Sequence, residues 1–108
     1  MAEKTKMMSQ AQAFTQMGLG KTAEPLWRAA AAMEERIAPR LDAIGRNREA
    51  AVHRISAATC YRNAGEFSQA ANLFQAALAG PLTDGSRAEV EQFLEACLGA
   101  LATPAIAV

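Results

Sequence analysis

Apolar residues recur at helical spacing in several separate stretches of this chain. Ala70, Leu73, Phe74 and Ala77 form one stripe of small, large, large and small side chains. Val90, Phe93, Leu94, Cys97, Leu98 and Leu101 form another, with Glu91, Gln92 and Glu95 on other faces. Ile37, Leu41 and Ile44 keep the same period through a charged segment, and Met7, Met8, Phe14 and Met17 supply the apolar positions of the first segment. A period near 3.6 residues throughout predicts helices and no strands. Between them lie punctuation points. Gly65, four residues after Tyr61, suits a positive-φ helix end, and Glu66 and Ser68 then open the next helix with negative charge and a hydroxyl cap. Gly80-Pro81 ends that helix, and a last amphipathic helix begins near Thr83 to Ser86.

The two halves repeat one another. Phe14, Gly18, Ala23, Trp27 and Ala30 recur, each 47 residues on, as Tyr61, Gly65, Ala70, Phe74 and Ala77. Ser9/Ser56, Ala11/Ala58, Leu26/Leu73 and Ala29/Ala76 are identities at the same offset. The chain is therefore a duplicated helix-turn-helix unit, and such units bury their apolar faces on one another.

Ala58, Tyr61, Gly65, Phe67, Ala70, Phe74 and Ala77 fall where the tetratricopeptide repeat places its characteristic small and large residues. The second copy resembles that family over about 51–84, and the first over about 4–37. Gly20, where an aromatic is usual, and Leu82 after Pro81, where a helix-ending proline is common, depart from it. The family period is about 34 residues, so roughly 13 are left over between Ile37 and Ala50. Here Leu41 to Ala51 resembles the long-helix variant of kinesin light chains and bacterial peptide-sensing regulators. Pro39 suits the first turn of a helix starting near Ala38, which puts the join near 36–40 or at Gly45. The resemblance implies an all-α fold of about five helices: antiparallel helical hairpins in a short right-handed superhelix. Its single domain covers 1–102, with an extended connection over 38–50, a capping helix over about 85–102 and a loose apolar tail, 103–108.

Composition thins the picture. Of 108 residues 51% are hydrophobic but only 6% aromatic, so much of the core is alanine, with Trp27, Tyr61, Phe74 and Phe93 as its anchors. Eleven basic and eleven acidic residues cancel, which leaves no nucleic-acid footprint. Their distribution is uneven: residues 1–62 hold ten Lys or Arg against six Asp or Glu, and 63–108 hold one against five. Cys60 and Cys97 lack partners at metal-ligand spacing and read as small core residues of a reducing compartment. Glu3, Lys4 and Lys6 ahead of polar Ser9, Gln10 and Gln12 do not form a signal peptide, and no apolar run is long enough for a membrane helix, so a cytoplasmic location is expected.

Few residues suggest chemistry. Gly18-Leu19-Gly20-Lys21-Thr22 has the end of a phosphate-binding loop, but Thr15 stands where another glycine is needed and a helix precedes it. A nucleotide-responsive switch through Lys21 and Thr22 is the distant alternative. His53 is the only histidine, and adjacent Glu34 and Glu35 point about 100° apart as solvated residues. No catalytic residue, metal ligand or cofactor is expected.

The resemblance implies instead a concave surface lined by the first helix of each repeat: Met8, Gln12, Thr15 and Gln16, then Ile55, Thr59, Arg62 and Asn63. Only Arg62 and Asn63 resemble the basic and amide set with which some members clamp the carboxylate of chaperone tails. The expected function is that of a protein-protein interaction module, an adaptor binding a peptide or helix of a partner. The alternative is an assembly subunit or scaffold that self-associates as a homo-oligomer through its end helices, with Met7 and Met17 on the N-terminal face.

Overall fold

The computed structural model describes residues 2–103, with side chains from Lys4. It is all-α: α1 (Ala2–Gln16), α2 (Gly20–Ala43), α3 (Asn47–Asn63), α4 (Phe67–Leu78) and α5 (Asp84–Ala102). Each helix packs chiefly on its neighbours in sequence, the contact pattern of a helical repeat.

Three of the four links share one geometry. Gly18, Gly45 and Gly65 have φ of 80°, 79° and 81°, a conformation in which only glycine avoids a Cβ clash. At each, the residue after glycine donates its N–H to a carbonyl five residues back: Leu19 to Phe14, Arg46 to Leu41 and Glu66 to Tyr61, at 2.8, 2.8 and 2.9 Å. The glycine N–H itself bonds three residues back, completing a Schellman turn. The residue that closes one helix also opens the next, since the carbonyls of Leu19, Arg46 and Glu66 accept from Ala23, Ala50 and Ala70. All three alanines are buried. The spacing of large residue, glycine and alanine is thus the hydrogen-bond pattern of a three-residue link written in sequence. Leu41, Gly45, Ala50 and Ala57 repeat it between the two recognised copies.

Three expectations need correction. The join falls at Gly45 alone, and α2 runs unbroken through Pro39. A mid-helix proline forfeits one backbone bond, at a cost of about 3 kcal/mol. Here burial of Ala30, Ala31, Glu34 and Ala38 along one face of α2 holds the helix through it. Glu66 is the cap residue of α4, but no side chain, neither its own nor that of Ser68, makes a cap bond; the Glu66 carboxylate instead accepts from the Arg28 Nε at 3.2 Å. Glu34, expected in solvent, is 1% exposed.

The fourth link differs. Thr83 caps α5 by accepting from the Ser86 N–H, and the Arg87 guanidinium donates to the carbonyls of Leu78 and Gly80 at 2.8 and 3.3 Å, covering the open end of α4. On α5, Val90 and Cys97 are buried, whereas Leu98 and Leu101 are about half exposed. The expected apolar tail falls largely outside the described residues. Alanine dominates the core, around Phe74, Trp27, Tyr61 and Val90.

Candidate functional groove

Two successive tight links return the chain to its starting direction, so α1 and α3 run parallel with α2 behind them. Between them lies an open groove of about 640 Å³. Met8, Gln12, Thr15 and Gln16 form the α1 wall, Ser56, Thr59, Cys60 and Asn63 the α3 wall, and Trp27 of α2 reaches its floor. The two walls repeat at three- and four-residue steps, which keeps them on the facing sides of two helices.

The walls carry amides, hydroxyls and sulfur, and no charge. Thr15 and Thr59 donate their hydroxyls back to Ala11 and Ile55 of their own helices, at 2.8 and 2.9 Å. Thr15 Oγ1 in turn accepts the Trp27 indole N–H at 3.3 Å, fixing the ring at the floor. Gln12, Gln16 and Asn63 are exposed, each with two N–H donors and one acceptor. The Cys60 thiol is pushed up to about 11 by burial, with the Glu34 charge adding and Lys4 opposing, so it stays protonated at neutral pH.

A charged cluster lies two helical turns further along α2. Glu34 is on the same face as Trp27 and receives Lys4 of α1 and, at 2.5 Å to His53 Nδ1, α3. One buried carboxylate therefore ties both walls to the floor. Its neighbour Glu35 accepts the Tyr61 hydroxyl at 2.8 Å. Asp42 binds Arg54 and Asn47 at 2.6 and 2.7 Å across the α2–α3 link; Arg54 and Asn47 together hold its carboxyl below the ordinary value.

Of the eight residues expected on the concave surface, the structure brings six together in this groove: Met8, Gln12, Thr15, Gln16, Thr59 and Asn63. Ile55 is partly buried against the core, and the Arg62 guanidinium lies 4.9 Å over the Phe93 ring of α5. Ser56, Cys60 and Trp27 were not expected there. Ser56 shares a helical stripe with Thr59 and Asn63, so spacing alone could have found it. Trp27 required the tertiary fold. Met17 is 68% exposed at the end of α1, and Met7 is half-buried. Lys21 and Thr22 are exposed at the start of α2, after the helix-ending Gly18.

Among the described residues no cluster of His, Cys, Asp and Glu could hold a metal, and no helix is long and apolar enough to cross a membrane. No protein-family model, curated protein or solved structure matches the chain, so its function is read from its own residues.

Proposed function

We propose that the chain is a non-catalytic interaction module of tetratricopeptide type, an adaptor that holds a peptide or helix of a partner protein in the groove between α1 and α3. The observation that carries this reading is the groove itself: two parallel walls of unengaged amides over a fixed indole, with no charge and no activated nucleophile. Side-chain amides pair with the N–H and C=O of an extended backbone, and Met8 and Trp27 offer an apolar seat for one of its side chains. Two free, buried cysteines accord with a reducing compartment, and the cytoplasm is the proposed location.

The sole tryptophan makes the test direct. Peptides selected from a displayed random library on the immobilised protein are expected to shift Trp27 emission on binding. Asn63→Arg combined with Gln12→Arg, both at exposed positions, should weaken them roughly tenfold or more, equivalent to about 1.4 kcal/mol. Arg62→Ala should leave them bound, because that guanidinium is occupied by Phe93. Peptides that bind without touching Trp27 emission, or that ignore the paired arginines, would remove the groove as the binding site.

A further inference from the structure

The two end helices carry matching faces that the fold leaves uncovered. Along α1 and the first residue of the link after it, whose N–H bonds back to Ala13, Lys6, Gln10, Ala13 and Met17 follow one another at steps of four, three and four residues, and all are exposed. They lie on the side turned away from buried Ala11 and from the groove residues of the same helix. On α5, Glu91, Glu95, Leu98 and Ala102 follow the same steps and are also exposed. They lie away from Phe93, which faces Arg62 of α3, and from buried Val90 and Cys97. One face closes the array at its basic end and the other at its acidic end.

We propose that these faces are the two halves of one head-to-tail interface, through which copies of this chain stack. α1 and α5 are both odd-numbered helices of an up-and-down array, so they run in the same direction. Adding a second copy in the same orientation, by translation along the array, therefore sets α5 of one copy parallel to α1 of the next. In that register Lys6 meets Glu91, and the Gln10 amide meets the Glu95 carboxylate. Ala13 lies against Leu98 and Met17 against Ala102, small against large at both positions, which is how ridges of one helix fill the grooves of another. Charge complementarity thus falls at the N-terminal ends and apolar contact at the C-terminal ends. Because the two surfaces differ, the association is heterologous and does not close at a dimer. It leaves the groove open and does not depend on what the groove binds.

Sedimentation equilibrium of the full chain, from micromolar to millimolar, tests this. The weight-average mass is expected to rise with concentration beyond that of two copies. Met17→Asp and Leu98→Asp, both at exposed positions, should each remain monomeric while keeping the wild-type circular dichroism and melting temperature. Mixed in equal amounts they should form a dimer and nothing larger, since the first retains an intact α5 face and the second an intact α1 face. A wild type that stays monomeric at millimolar concentration would assign the faces to some other partner and overturn the proposal. A dimer that does not grow, or a mixture that does not associate, would overturn it equally.

Discussion

Glu34 is the residue on which the packing of the first three helices converges. A carboxylate this deeply buried is tolerated because Lys4 pairs with it from α1 and the His53 ring hydrogen-bonds it from α3. Glu34→Ala strands those two groups and opens a void, so it should lower unfolding free energy by roughly 2–4 kcal/mol in urea titrations. Tyr61 supplies a pH handle. Burial first, and then its bond to Glu35, push the phenol up to about 12 from an ordinary value of 10.0. The fold therefore favours the neutral phenol: this contribution to stability is complete below pH 10.0 and is lost as pH rises through about 12. With a single tyrosine, phenolate absorbance reads it without overlap, appearing near pH 12 in the native protein and near 10.0 in the unfolded chain. Burial also raises the Cys97 thiol, as it does Cys60. Both should resist alkylation by iodoacetamide at neutral pH until denaturant is added.

At the scale of the element, helix ends separate two kinds of glycine. Gly45 and Gly65 sit at positive φ, where an added Cβ strains the turn whatever space surrounds it. Gly65→Ala should cost about 1 kcal/mol, measured as a lower urea midpoint. Gly99 lies within α5 at ordinary helical φ with open space around it. Gly99→Ala should raise stability by about 0.8 kcal/mol by the same measurement, because alanine restricts the unfolded chain and favours helix. The opposite signs follow from backbone geometry alone. The link at Gly45 was only half legible: Leu41 and Ala50 keep the template's spacing, but Arg54 stands where the other two glycine links have Trp27 and Phe74.

For the whole molecule, contact mainly between sequence neighbours means that stability is a chain of local interfaces. α2, α3 and α4 each have a helix on both sides, whereas α1 and α5 have one. Hydrogen exchange should accordingly be slowest in α3 and fastest in α1 and α5. Uniform protection across all five helices would contradict this order.

Periodicity and glycine spacing were sufficient to specify the helical class and the links at Gly18 and Gly65, because each depends on hydrogen bonds within a few residues of chain, and left the join at Gly45 as one of two choices. The six groove residues were legible only through the lining positions that the resemblance to the tetratricopeptide repeat implies, and their grouping on one face of each helix is a local property. The fates of Glu34, Arg62 and Trp27 were not local. Adjacent Glu34 and Glu35 look alike in sequence, yet one is buried between Lys4 and His53 and the other takes a tyrosine hydroxyl. Arg62 could face a ligand or a ring, and only the arrival of α5 puts Phe93 beneath it. Trp27 became a groove floor because α1 and α3 flank α2. Which partner a side chain meets across 19 or 30 residues of chain is settled when helices pack, for it is there that burial forces every charge and polar atom to find a neighbour.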